Sequence, residues 1–190
     1  FDVTVVGAGP SGSFCAKKLA EKGFKVLLID KEKFPREKAC GGLISSKALI
    51  LLQSDFNYSL LNKIESNPVH NIILTFAQRE LELKKNKMLG IIVRRKKFDE
   101  LLVNEAVRKG VYFIDRCEYK HHVRLQKYYE IYTTKGIFCS SFLIGADGVY
   151  SRVAKISEIR QEFSKWEMGF AVSCEVPGGL TIEKEGAEFI

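Results

Sequence analysis

The chain has 190 residues and a formal net charge of +7, with 46% of its residues hydrophobic and 28% charged. That balance excludes intrinsic disorder and leaves room for one good core or for two domains sharing the sequence. The longest apolar runs, such as Val26–Ile29, are far too short to cross a bilayer.

The chain opens on Phe1 rather than Met, so the loss of a short leader is expected. Residues 2–6, DVTVV, read as a strand running into a glycine loop, not as a signal peptide. From Ser11 to Lys22 the apolar residues fall at helical spacing, Cys15 with Leu19 and Ala16 with Ala20, and Gly23 ends the helix. KVLLID, residues 25–30, is apolar enough for a strand buried on both faces, so the first thirty residues form a βαβ unit. A charged loop from Lys31 to Ser46 carries Gly41 and Gly42, and KALILL at 47–52 suggests a short helix. Between His70 and Val93 the residues alternate or run apolar without a helical stripe, which predicts antiparallel strands. Phe98, Leu101, Leu102 and Ala106 mark a second helix ended by Gly110, and VYFI follows as a strand. Residues 119–139 alternate as two or three strands (VRLQ, YEIYTT, IFCS) with a turn at Lys135-Gly136. FLIGADG adds one buried strand, and beyond Ser157 longer half-buried strands are expected, MGFAVSCEV the clearest. The layout predicts an α/β fold. A nucleotide-binding part over 1–54 and 95–158 is interleaved with a mostly β part over 55–94 and 159–190.

The basic residues are spread among acids. The densest group, VRRKKFDE, reads as a solvated basic face or as a surface suited to anionic lipid headgroups. No aromatic ladder or recognition helix accompanies it, so nucleic acid is not expected as a partner. Cys15, Cys40, Cys117, Cys139 and Cys174 are odd in number, widely spaced and without a CxxC pair. His70, His121 and His122 do not join them at ligand spacing. A zinc site or a disulfide framework is therefore not expected, and a reducing, cytoplasmic setting is.

Two motifs carry chemistry. Gly7-x-Gly9-x-x-Gly12 follows a strand and opens a helix, and Asp30 ends the next strand eighteen residues past Gly12. In that context Gly7 permits a tight turn, Gly9 lets the backbone approach a pyrophosphate, and Gly12 lets the helix pack on the strands. The helix N-terminus offers N–H groups to phosphate, and Asp30 would accept from a ribose hydroxyl. The second motif, GADGVYS over Gly145–Ser151, places a carboxylate and a turn at a strand's carboxyl end; alone it is weak, since Asp-Gly turns are common.

Together VVGAGPSG, Asp30 and LIGADGVYS resemble the FAD-dependent oxidoreductases of the aromatic-hydroxylase type. FPREKACGG and RKKFDELLVNEAVRKG are most similar to the geranylgeranyl reductase family within that superfamily. The resemblance covers nearly all of residues 2–155 and implies a Rossmann-like FAD-binding domain of the glutathione-reductase type beside a substrate domain. It implies that Gly7, Gly9, Pro10, Ser11 and Gly12 lie against the FAD pyrophosphate, and Asp30 with Lys31 at the adenosine ribose. Arg95 would reach toward the flavin, Asp147 and Gly148 would sit near the phosphates and ribityl chain, and Gly41 and Gly42 would face the isoalloxazine ring beside Cys40. The expected reaction saturates isolated C=C bonds of an isoprenoid or lipid-like substrate, with hydride from reduced flavin and a proton for which Cys40 is the candidate catalytic donor. Cys40 also admits the plain reading of a small buried hydrophobe. Two alternatives stay open: a flavin-dependent hydroxylase, disfavoured by KACGG, and a truncated, non-catalytic flavin-binding module.

This sequence departs from the superfamily pattern in two places. Ser151-Arg152-Val153 is followed by Ala154 where the pattern often has arginine. The chain also stops at Ile190, before a further glycine-aspartate motif and the rest of the substrate domain, so a C-terminally truncated chain is expected. The electron donor, of NADPH or ferredoxin type, has no second dinucleotide motif here. Peripheral membrane contact is expected from the lipid-like substrate and the positive charge.

Overall fold

The computed structural model describes residues 1–55, 64–76, 79–84, 87–160, 163–164, 166–172 and 186–189. The chain divides into two compact units, the first Phe1–Glu37 with Asp99–Phe170 and the second Lys38–Phe98 with Ala171–Ile190. Residues 38–54, grouped by sequence with the nucleotide-binding part, fall in the second unit.

In the first unit, β1 (Val3–Val6) and β2 (Val26–Ile29) have every side chain buried. Between them runs α1 (Pro10–Glu21), which starts on a proline whose missing N–H is no loss in the first turn. It stops where Gly23, at φ +88°, takes the left-handed position after the last turn. The two strands pair in parallel with β8 (Tyr112–Ile114) and β12 (Phe142–Gly145) in the order β12-β1-β2-β8.

The alternating faces of β1 and β2 explain why both strands are apolar throughout. Val3, Val5, Val26 and Leu28 pack with Ala16 of α1 and with Val103 and Ala106 of α3 (Arg95–Arg108). Val6, Leu27 and Ile29 face the other way, onto Tyr119 and Ile131. Those two come from an antiparallel sheet of β9 (Tyr119–Arg124), β10 (Tyr129–Thr133) and β11 (Gly136–Ser140), in the order β11-β10-β9. The strand expected at VRLQ therefore sits earlier, ending at Arg124. β12, expected to be buried, pairs among the described residues with β1 alone and leaves Phe142 62% exposed.

A short helix that the sequence reading omits, α4 (Arg152–Ile156), follows β12 and is capped by Ser151, whose Oγ accepts from the Ala154 N–H. The strand expected over MGFAVSCEV is not formed at residues 168–172, and its remainder, including Cys174, lies outside the described residues.

Among the described residues the second unit holds two three-stranded sheets. β3 (Leu43–Ser45), β7 (Gly90–Val93) and β4 (Ser66–Val69) are antiparallel, with β7 central. β5 (Asn71–Phe76) pairs antiparallel with β6 (Arg79–Lys84) and in parallel with β13 (Gly186–Phe189). The antiparallel strands expected between His70 and Val93 are thus present. The helix expected at 47–52 is longer, as α2 (Ser46–Asp55), and β3 just before it is unforeseen. Among the described residues no helix is long and apolar enough to cross a membrane.

Candidate functional site

The glycine loop is shaped by its neighbours within the first unit. Gly7 has φ +100°, and a β-carbon there would lie 2.4 Å from the Ala146 carbonyl oxygen, so both conformation and space demand glycine. A β-carbon on Gly12 would lie 1.8 Å from the Gly7 carbonyl oxygen and 3.2 Å from Ala146 Cβ. These two glycines let α1 close down on β1 and bring the loop after β12 against the loop after β1. Gly9 is different. Its backbone is extended, at φ −70° and ψ −178°, and a β-carbon would meet a single atom within 4 Å, Arg36 Nη2 at 3.5 Å. Nothing among the described residues requires glycine there.

Gly9 is also the N-cap of α1 and supplies no side-chain cap, and the first turn has no acidic residue. The N–H groups of Ser11 and Gly12 thus begin a twelve-residue helix whose first turn carries no acidic side chain at its positive dipole end. An open glycine at such an end fits a diphosphate, because phosphate oxygens can approach N–H groups that no side chain shields.

Asp30 is 8% exposed at the carboxyl end of β2, and its oxygens are already engaged. Oδ2 accepts from the Ala8 N–H at 2.7 Å and Oδ1 from the Glu32 N–H at 2.9 Å. The carboxylate thus pins the glycine loop, and a carboxylate has about four acceptor sites, so capacity for a hydroxyl donor remains. Lys31 lies on the surface, its side chain 70% exposed, with its ammonium 4.0 Å from Glu32.

Asp147 serves the start of α4. Its Oδ1 accepts from Ser151 Oγ, and its Oδ2 accepts from the N–H groups of Arg152 at 2.7 Å and Val153 at 3.2 Å. Its charge also adds to the effect of burial on Tyr119, whose phenol is pushed up to about 12. Gly148 beside it has φ +87° and open space around its α-carbon. Arg152 turns away to Glu118 Oε1, at 3.1 Å, and to the Tyr119 carbonyl oxygen.

Cys40, Gly41, Gly42 and Arg95 belong to the second unit. Cys40 is exposed, which removes the reading of a small buried hydrophobe; its Sγ accepts from the Gly42 N–H at 3.4 Å. Gly42 has φ +76°, and a β-carbon would lie 2.2 Å from the Val93 carbonyl oxygen, so its clearance is taken up by β7. Gly41 has open space instead, and only this glycine of the pair keeps room for a ring. Arg95 is the first, half-buried residue of α3.

Arg36 escaped the sequence reading. Its side chain is 11% exposed, and its Nη2 lies 3.1 Å from Oδ2 of the fully buried Asp99. The guanidinium carbon sits 5.2 Å from the centre of the Phe34 ring. An arginine in a charged loop carries no signal of its own. The only available cue was its partner, an acid on the apolar side of the Phe98–Ala106 helical stripe. An open cavity of about 680 Å³ in the same unit, lined by Phe34, Glu100, Asn104, Tyr112, Asp115 and Lys135 among others, contains none of the predicted site residues.

Comparison with known proteins places these features in context. The FAD binding domain family matches residues 1–177. An uncharacterized protein of Methanosarcina barkeri is 32% identical over 179 residues, covering 93% of this chain and 44% of that protein. A digeranylgeranylglycerophospholipid reductase of Methanothrix thermoacetophila is 27% identical over 170 residues, covering 81% of this chain and 41% of that one. This chain thus spans less than half the length of these relatives. Among solved structures, a geranylgeranyl bacteriochlorophyll reductase-like protein from Thermoplasma acidophilum superposes with a TM-score of 0.70 at 25% identity, over 82% of this chain and 41% of the other. A halogenase crystallised with phloroglucinol and FAD reaches the same TM-score of 0.70 at 16% identity, over 82% and 36%, and shares the fold alone.

Proposed function

This chain belongs to the FAD binding domain family, its cofactor is FAD, and on that footing we propose that it works in a reductase saturating C=C bonds of an isoprenoid lipid. The observation that carries the substrate class is the match, over most of this chain, to a digeranylgeranylglycerophospholipid reductase. The open Gly9 at an uncapped helix end supports the cofactor half of the reading, since a diphosphate satisfies what the protein leaves unsatisfied there.

In this reading the loops after β1 and β12 bind the cofactor. Gly9, Pro10, Ser11 and Gly12 line the diphosphate. Asp30 holds the Ala8 N–H and accepts from the adenosine ribose, with Lys31 at its rim. Gly148 presents an open backbone, and Asp147 keeps that turn in place by capping α4. Bound FAD, once reduced, supplies the hydride for the alkene. An isolated alkene is a poor electrophile, so the protein must orient it and place a proton donor. Cys40, exposed beside the open Gly41, is the proposed donor, and Arg95 is proposed to reach the flavin. An electron source of NADPH or ferredoxin type is proposed, and the basic surface is proposed to meet anionic lipid, which flotation with liposomes rich in anionic lipid would detect.

The test begins with heat release of the ligand from purified protein and its identification by chromatography and absorbance. Reduced protein is then mixed anaerobically with a digeranylgeranyl lipid, and the product is weighed by mass spectrometry. A gain of two hydrogens per double bond is expected. Oxygen consumption coupled to a hydroxylated product would replace this reading with the hydroxylase one, and protein that takes up no flavin would refute both.

A further inference from the structure

We infer that Arg36 is a cofactor-contacting residue whose guanidinium, fixed by buried Asp99, binds the diphosphate over the glycine loop. The inference rests on the FAD reading above and names a residue that reading does not require. Two contacts and burial within the first unit fix the guanidinium. Its Nη2 is paired at 3.1 Å with Asp99, which has no solvent exposure; its carbon stacks 5.2 Å above Phe34; and its own side chain is 11% exposed. The point it is held at is distinctive. Among the described residues, chain neighbours aside, Arg36 Nη2 is the one atom within 4 Å of where a side chain on Gly9 would begin.

The guanidinium stands beside the N-terminal, positive end of α1, so a phosphate anion there is attracted by both. Asp99 neutralises the guanidinium through one nitrogen. An arginine has five N–H donors in a planar fork, so donors remain for phosphate oxygens. The buried carboxylate then acts as a positioning group, holding a side chain that would otherwise be flexible in the geometry a diphosphate needs.

A purely structural ion pair predicts something else. It would matter equally with or without cofactor, and equally for ligands with and without phosphate. FAD binding to the purified protein is therefore titrated by quenching of flavin fluorescence, with ADP and adenosine as competitors. Arg36→Gln is expected to weaken FAD and ADP by about tenfold or more, the size of one lost charge-assisted hydrogen bond, and to leave adenosine competition unchanged. Arg36→Lys, which keeps the charge but loses the fork, should fall between. Because Arg36→Gln strands a buried carboxylate, the double variant Arg36→Gln/Asp99→Asn removes both charges, and it is expected to melt near the parent protein while showing the same loss for FAD. The proposal is overturned if either folded variant binds FAD as the parent does, or if adenosine weakens as much as ADP. Parent protein that does not bind FAD overturns the cofactor reading and this inference together; parent binding with an unaffected double variant overturns this inference alone.

Discussion

Replacing Gly9 by alanine separates a glycine demanded by the fold from one demanded by a ligand. The Gly9 backbone is extended, a conformation open to any residue, and the added methyl would meet only Arg36 Nη2 at an ordinary 3.5 Å. The cost to the ligand-free protein is limited to exchanging one weak N-cap for a poorer one, about 1 kcal/mol or less. Bound cofactor meets a different situation. A methyl placed where a phosphate oxygen must touch the backbone forces a displacement costing about 1–3 kcal/mol, as overpacking does elsewhere, which is about ten- to a hundredfold in affinity. Gly12→Ala is the control. Its methyl would stand 1.8 Å from a backbone oxygen that cannot move without opening α1 from β1, so the ligand-free fold itself should fail. Thermal melts without flavin and fluorescence titrations with FAD measure the two effects separately. A Gly9→Ala protein with parental FAD affinity, or one that melts as poorly as Gly12→Ala, would refute the reasoning.

Three further outcomes follow from local chemistry. Hydrogen bonds from the buried Lys17 at 2.9 Å and from Lys109 at 3.1 Å hold the Glu21 carboxyl down at about 2. That lies below its unfolded value of about 4.3, so the stabilisation is complete above that value and lost as pH falls toward 2. Glu21→Gln should remove about 1–2 kcal/mol at neutral pH, discounted for the solvent around Glu21, and acid melts should show the variant's deficit vanishing near pH 2; a deficit unchanged by acid would count against the pair. Thr4 lies fully buried in β1 with no hydrogen-bond partner for its hydroxyl among the described residues, so Thr4→Val should raise stability by about 1 kcal/mol, and a lower melting temperature would contradict this. Cys40→Ser should leave FAD affinity intact and slow alkene reduction by about a hundredfold, as loss of a proton donor does, whereas unchanged turnover would remove the thiol from the chemistry.

Much of the fold is legible because it is local. DVTVV, the loop at Gly7–Gly12 and KVLLID each announce their element, and the burial of both faces of β2 is visible as an unbroken apolar run. What fails is context. FLIG looks as buried as VLLI, yet β12 lies at the sheet edge, and edge position is a property of pairing that no window of residues records. The segment Arg152–Ile156 is too short for a periodic stripe, and it is held by the carboxylate of Asp147 and the hydroxyl of Ser151 rather than by its own propensity. β3 escapes for a related reason: three residues carry no period, and the strand exists because β7 pairs with it.

The site poses a harder problem, since spacing cannot say why a residue is what it is. Gly7, Gly9, Gly12 and Gly42 look alike in the sequence, but three of them answer to their own chain. A β-carbon on Gly42 would strike the Val93 carbonyl, just as one on Gly7 would strike that of Ala146. Asp30 and Asp147 show the same duality, each accepting backbone N–H groups that set a loop before any ligand is considered. A motif of this kind is therefore mostly scaffold, and its ligand-facing part is the small remainder for which the protein supplies no internal reason. Gly9 in the first unit and Gly41 in the second are such positions, where a β-carbon would find open space or one ordinary contact. Gly42→Ala should consequently damage the sheet of β3, β7 and β4, whereas Gly41→Ala should leave melting unchanged and reveal itself only through the flavin, as a shift in its absorption or a loss of affinity. Equal damage to melting from both substitutions would show that Gly41, too, is scaffold.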